Sequence, residues 1–426
     1  MRRAIRSPLF LMGLTVFIDI TGFGLILPLL PFWAQRLGAD AFVIGLITTV
    51  YALAQFLFTP LLGALSDRYG RRPVILISLL VEAAAFAMTA LAGTLPMLLV
   101  ARFVGGMGAS NIGSAQAVVA DVTPPAQRAR GMGVIGAAIG LGFVVGPALG
   151  GLLATLGAAT PFWVAMAVAL LNALLVWRFL PETRVARVAR EAPPQRKGTL
   201  AFPSWRQALS KPLVARLILI NLLFTLAFTA MEAVFALFTQ QTFGWNATQN
   251  GYVFAYIGVI IVVMQGGLVG RLVKRWGERP LLIGGLALLS VGLILLPFSA
   301  SLGMLLATLG LLSVGEGAVT PTSSALLSLA SPDGRQGETL GLSQGIGSLG
   351  RIIGPLAAGW LFLTVGAGAP FLAGGMLTMA ALLVALPTFG QSSRSSESQT
   401  IAAADLAQGE TATFDTPALT GAPEHK

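Results

Sequence analysis

Cysteine is absent from the 426-residue chain, and the single histidine, His425, lies in its polar end segment. Without cysteine there is no disulfide framework, thiol nucleophile or cysteine-held cluster. One histidine in a polar tail leaves neither a histidine proton relay nor an intramembrane histidine metal site. Charge is also scarce. Asp, Glu, Lys and Arg make up 10% of the residues, against about 25% in a soluble domain. No GxxxxGK[ST] sequence occurs, which argues against ATP hydrolysis. What is abundant is apolar: 55% of residues are hydrophobic and the mean hydropathy is +0.81. These features predict an integral membrane protein that is not an enzyme, with no metal site and no cofactor.

A bilayer-spanning helix needs about 20 mostly apolar residues. The pattern predicts twelve, at 9–33, 42–65, 73–93, 95–120, 131–155, 160–180, 213–238, 250–272, 280–299, 302–329, 338–364 and 368–389. "MRRAIRSP" has the charge of a secretory n-region, but the run after it is long, holds Asp19 and prolines, and lacks a small-residue cleavage site. It therefore reads as the first span. Arg2, Arg3 and Arg6 precede it; Arg68, Arg71 and Arg72 follow the second span, and Arg128 and Arg130 the fourth. Arg271, Lys274, Arg275 and Arg279 surround the turn between spans eight and nine, and Arg335 follows span ten. The alternate loops carry little beyond Arg36. The positive-inside rule then puts both termini in the cytoplasm and the chain, multi-pass, in the inner or plasma membrane. The same asymmetry accounts for the net charge of +10, so no nucleic-acid partner is expected. The expected organisation is a six-helix bundle over 1–182, a basic cytoplasmic linker over 183–211, a second six-helix bundle over 212–390, and a disordered tail over 391–426.

Two stretches repeat. "GALSDRYGRRP" begins at Gly63 and its blurred copy "GRLVKRWGERP" at Gly270, 207 positions later. The same offset pairs Pro73 with Pro280, Leu95 with Leu302 and Arg128 with Arg335. "VVGPALGG" near Gly146 matches "IIGPLAAG" near Gly354. Each half holds an even number of spans, so the copies share one orientation. The predicted fold is an all-α membrane protein of two parallel six-helix pseudo-repeats, with a small-molecule site between them near the midplane and access alternating from side to side.

These motifs carry a resemblance. "GALSDRYGRRP" resembles the loop 2–3 signature of the major facilitator superfamily. "LLVARFVGGMGAS" around Arg102 resembles the helix-4 signature of its proton-coupled members, and "GLGFVVGPALGG" the helix-5 signature of the drug–proton antiporter branch. "FIDITGFGLILPLLP" and "TFGWNATQNG" look most like the tetracycline efflux group. The resemblance implies a cytoplasmic gate at Gly63, Asp67, Arg68, Gly70, Arg71 and Arg72, latched when the protein faces outward, with Gly63 as its packing point. It also implies a helix-5 antiporter motif at Gly142, Gly146, Pro147 and Gly150, bent at the interface of the halves. Glycines four apart share a face that permits close helix packing, and Pro147 removes a helical hydrogen bond. A monomer driven by the proton gradient is implied.

Ionisable groups inside spans are functional candidates because burying charge there is costly. Asp19, Glu82 and Arg102 form that set in the first half, and Glu232, Glu316 and Arg351 in the second. A carboxylate that trades a proton for a cationic group is the minimum machinery of antiport. Gln55, Asn111, Gln116, Asn221, Gln265 and Gln344 could supply polar cavity contacts, and Phe228, Met231, Phe235 and Tyr256 an apolar wall. Tetracycline pumps of the family carry an acid in helix 3, a His and a Gln in helix 8, and an acid in helix 9. Here those positions fall near Ala85, at Ile261 and Gln265, and near Leu289, so three charges are missing. Glu82 stands one turn from the first, and the acid of "AFTAMEAVFALF" and Glu316 are candidates to replace the missing charges. The reading is a proton-coupled exporter of lipophilic or cationic drug-like compounds, tetracycline-like ones included. The alternative is an exporter of a physiological solute such as a sugar or metabolite.

Overall fold

A computed structural model of the chain describes residues 8–123, 128–183, 210–331 and 336–388. The expected linker, apart from its ends, and the expected tail lie outside the described residues, as do Arg2, Arg3, Arg6, Arg335 and the side chains of Arg128 and Arg130. All regular structure among the described residues is helical. The first half comprises α1 (Pro8–Ile26), α2 (Ala41–Tyr69), α3 (Arg71–Ala90), α4 (Leu95–Val122), α5 (Arg128–Ala154) and α6 (Thr160–Phe179). The second comprises α7 (Pro212–Phe243), α8 (Ala247–Trp276), α9 (Glu278–Leu295), α10 (Leu302–Ala330), α11 (Gln336–Thr364) and α12 (Ala369–Ala385). Eleven of these are long and apolar enough to cross a membrane, and α12 is a shorter apolar helix. Helices keep every backbone polar group paired within the segment, as a bilayer demands.

Three spans differ in detail from the sequence expectation. The first, expected to run to 33, ends at Ile26; a turn and a short helix, Leu30–Arg36, follow. Pro28 and Pro31 lack the N–H that a continuous helix needs. α4 is interrupted by a 3-10 turn at Ala109–Asn111, after glycines at 105, 106 and 108. α8 contains a π-helical turn at Met264–Leu268 that includes Gly266 and Gly267.

The repeat is visible in the turns. Gly70 and Gly277 occupy equivalent places in the α2–α3 and α8–α9 turns, both with positive φ, +105° and +83°. A side chain would be strained there. The face of the bundle with these two turns also carries Arg68, Arg71, Arg72, Arg271, Lys274 and Arg275, and is called the basic face below. At the opposite face Asp40 accepts from Val43 N at 2.8 Å to cap α2, and Asn246 and Gln249 form a capping box on α8.

Buried apolar side chains make a large core from α7 to α12, around Phe235, Leu286, Leu309 and Phe371, and a small separate cluster of Met264, Val269, Leu281 and Ala318. The first half has two: one toward the opposite face with Ile44, Phe86 and Phe162, the other toward the basic face with Leu11, Ile75 and Val118. Leu237 and Phe362 of the second half pack into the former, sealing the halves together at that end.

The seam between the halves is formed by α2 against α11 and α5 against α8. A Cβ on Gly45 would collide with the Pro355 carbonyl, and one on Gly359 with the Ala41 carbonyl. Gly151 and Gly251 abut each other. Thr49 Oγ1 donates to the Ile352 carbonyl at 2.7 Å, and Thr248 Oγ1 to the Gly151 carbonyl at 2.9 Å. Toward the basic face the same helix faces part. A Cβ on Gly63, Gly133, Gly266 or Gly345 would meet nothing within 4 Å. The halves thus form a V, closed at the opposite face and open at the basic one. Gly63 stands at the open end of the seam, where a Cβ has no neighbour in this conformation.

Candidate functional site

Asp19 is buried in the interior of the first half. α4 and α6 bring two amides to it. Asn111 Nδ2 donates to Asp19 Oδ2 and Asn172 Nδ2 to Oδ1, each at 2.9 Å. Asn172 also donates to the Thr15 carbonyl at 3.2 Å, which ties α6 to α1. The amides leave their own Oδ1 atoms buried without a partner. This is a cage of neutral donors around a carboxylate, with no cationic side chain in salt-bridge range among the described residues.

Arg102 and Glu82 lie next to the cage. The Arg102 guanidinium sits 4.2 Å from the centre of the Tyr51 ring, a cation–π contact. Its Nε and Glu82 Oε2 are buried with no hydrogen-bond partner, and both residues line a cavity of about 10 Å³ with Phe23 and Tyr51. That is the room one water molecule takes. Small residues permit the approach: a Cβ on Gly108 would strike the backbone of Glu82, and one on Gly106 the Tyr51 carbonyl. Phe23 contacts Tyr51 and Phe143 at ring distances of 5.6 and 6.1 Å, an aromatic wall linking α1, α2 and α5.

In the second half Glu232 and Glu316 are half-buried. Glu316 Oε2 is buried without a partner. The glycines beside it place it closely. Gly315 abuts Leu289 of α9, and Gly317 abuts Met264 and Ile261 of α8. Glu316 thus stands between the two positions at which the resemblance led one to expect an acid and a histidine. Arg351 Nη2 donates to Ser348 Oγ at 2.6 Å and makes no salt bridge among the described residues.

The polar residues expected to line the cavity divide into two groups. Gln116, Gln265 and Gln344 are exposed. Gln55, Asn111 and Asn221 instead bond within the bundle: Gln55 Nε2 to the Ala109 carbonyl at 3.3 Å, and Asn221 Nδ2 to the Ser343 carbonyl at 3.0 Å. Of the candidates for an apolar wall, Met231 and Phe235 are fully buried in the core.

At the basic face Arg71 pairs with Asp67 at 2.8 Å and with Asp121 at 3.3 Å, joining α2, α3 and α4. Its Nη1 also donates to Ser66 Oγ at 3.1 Å. Glu182, just past α6, accepts from the backbone N–H groups of Arg71 and Arg72 at 2.9 and 3.1 Å, and Arg72 Nη2 donates to the Trp177 carbonyl. A carboxylate at a helix N-terminus satisfies its free donors and complements its dipole. Glu182→Ala should therefore lower stability by about 1 kcal/mol, read as an earlier thermal transition in detergent. An unchanged transition would mean that water serves the α3 terminus equally well.

The helix-5 motif faces α1. Gly142 abuts Ile20, Gly146 the Thr21 carbonyl and Gly24, and Gly150 the Leu25 carbonyl. Pro147 Cδ lies against Gly24, while the Pro147 carbonyl turns toward Gly251 of α8. One helix thus packs on both halves, and Pro147 stands where the two contacts meet.

Asn172, Tyr51, Asp121 and Glu182 were not singled out by sequence reasoning. A lone amide in "ALLNALLVW" and a lone acid at each helix end were the available signals.

The Major Facilitator Superfamily model matches residues 12–269 and 266–419. The tetracycline resistance protein, class C, of Escherichia coli is 34% identical over 345 residues, 80% of this chain and 86% of that protein. The class H protein of Pasteurella multocida is 31% identical over 362 residues, 84% of this chain and 89% of that protein. The crystal structure of the human organic anion transporter MFSD10 superposes with a TM-score of 0.67 at 28% identity, covering 89% of this chain and 99% of that one.

Proposed function

The chain belongs to the Major Facilitator Superfamily, whose members are membrane transporters and not enzymes, and on that premise we propose that it is a proton-coupled antiporter exporting cationic or zwitterionic drug-like compounds. The observation that carries this reading is the contrast between two sets of acids. Asp67, at the basic face, is paired with an arginine, as is Asp121. Asp19, Glu82, Glu232 and Glu316, inside the spans, make no salt bridge among the described residues. A carboxylate in that setting gains from neutralisation, and either a proton or a cationic cargo group supplies it. If each ligand favours a different state of the V, their exchange drives alternating access.

With the basic face in the cytoplasm, the V is open inward and cargo enters from the cytoplasm. Relatives named for tetracycline resistance support a drug-like cargo. Ile261 and Leu289 support a cargo set different from theirs, with Glu316 supplying the acid between those positions. A second reading, export of an organic anion, is favoured by the unpaired guanidinium of Arg351 and by the likeness to MFSD10.

Expression in cells stripped of their own efflux pumps separates the two. A cationic dye such as ethidium should accumulate less when the protein is present, a protonophore should restore accumulation, and Glu316→Gln should behave like the empty vector. Exclusion of an anionic dye alone would favour the second reading.

A further inference from the structure

A second cavity, of about 270 Å³, lies at the opposite face, across the seam from the open end of the V. Gln35 and Asp40 reach it from the first half; Leu237, Gln240, Gln241 and Phe362 reach it from the second. Leu237 and Phe362 are the side chains that seal this end, so the cavity lies directly above the closed seam. Its floor is apolar and its rim carries one carboxylate and three side-chain amides. Asp40 spends Oδ1 on the cap of α2, and Oδ2 takes no hydrogen bond among the described residues. The side-chain amides of Gln35, Gln240 and Gln241 likewise have no partner among the described residues.

We infer that this cavity is a binding site for a small amphiphilic organic cation, distinct from the transport site, and that its occupation holds the opposite face shut. The carboxylate sets the sign of the charge, the amide rim takes polar substituents, and Leu237 with Phe362 takes the apolar body. The volume is just below the usual range for drug-sized ligands, about 300–1,000 Å³, which limits the ligand to a compact ammonium. Because both halves contribute walls, the site exists only while the seam is closed. A ligand that binds one of two states stabilises that state by its differential affinity. An exported cation that builds up outside would thereby slow its own further export.

The absence of cysteine makes the test direct. Gln241→Cys gives the chain a sole thiol on the rim, and its rate of reaction with a membrane-impermeant thiol reagent is measured in proteoliposomes with tetraethylammonium or sodium at equal ionic strength. At a tetraethylammonium concentration of about twice Kd, labelling should slow about threefold, the factor 1 + [L]/Kd. Adding Asp40→Asn should abolish the protection, since asparagine keeps the α2 cap and loses the charge. A thiol at Gly133→Cys, on the open side of the V, should react faster or as fast when tetraethylammonium is present. Equal labelling in tetraethylammonium and sodium, or protection unchanged by Asp40→Asn, would overturn the site. Slower labelling at Gly133→Cys would overturn the inference that the ligand holds the opposite face shut.

Discussion

Asp19→Asn is expected to abolish coupled transport while leaving the protein folded. The two oxygens of Asp19 each take a 2.9 Å bond from a neighbouring amide. Asparagine has the same shape and keeps one acceptor. Its new NH₂ would face a donor, but the Oδ1 atoms of Asn111 and Asn172 are buried and unpartnered, and a half-turn of one amide presents an acceptor. Asn172 is held by the Thr15 carbonyl as well, so Asn111 is the amide that turns. The net change in stability should be about 1 kcal/mol or less, the worth of one exchanged hydrogen bond. Asp19→Ala would instead leave the Asn111 amide without its acceptor and take one of two bonds from Asn172, at about 1–3 kcal/mol for each group. Thermal transitions of the two variants, measured beside transport, separate a lost proton site from a damaged fold. Full transport by Asp19→Asn would move the coupling role to Glu82 or to the second half.

Gly45→Leu and Gly63→Leu are expected to push the transporter in opposite directions. Both lie on one face of α2, separated by 18 residues, about five full turns. At Gly45 an added side chain runs into the Pro355 carbonyl, so the opposite face cannot close as it does here. Overpacking of this kind costs about 1–3 kcal/mol, which moves a two-state balance by roughly 5- to 150-fold. At Gly63 the same side chain meets open space in this conformation and α11 only if the basic face closes. A single cysteine at Gln240, reached from the opposite face, should label faster than in the parent when combined with Gly45→Leu, and slower with Gly63→Leu. Identical rates in the three proteins would show that the α2–α11 seam is not the moving contact.

Much of this architecture is legible in the sequence because its causes are local. Apolar length fixes a span, and proline or glycine fixes most ends and turns. Gly70 and Gly277 are recognisable in the repeated loop because only glycine sits easily at positive φ in both copies. Asp19 and Arg102 stand out because a charge in an apolar run is rare. Their partners do not. Asn172 reaches Asp19 across 153 positions, and nothing in "ALLNALLVW" points to the contact. Glu182 meets Arg71 across 111 positions for the same reason. Gly63 shows a different limit. Its motif predicts close packing, and in this conformation a Cβ there meets nothing within 4 Å. The break of the first span after Ile26 was written in Pro28 and Pro31, and an apolar-length count passed over it.

Cargo and protons are expected to move in opposite directions through one protein. The most direct measurement is the lumenal pH of proteoliposomes with an acid interior, followed as a panel of cationic drugs, tetracycline included, is added outside. A transported cation is expected to enter as protons leave, so that the lumenal pH rises with drug uptake, and Asp19→Asn is expected to show neither change. Drug uptake without any change in pH, or a pH response that survives in Asp19→Asn, would contradict it.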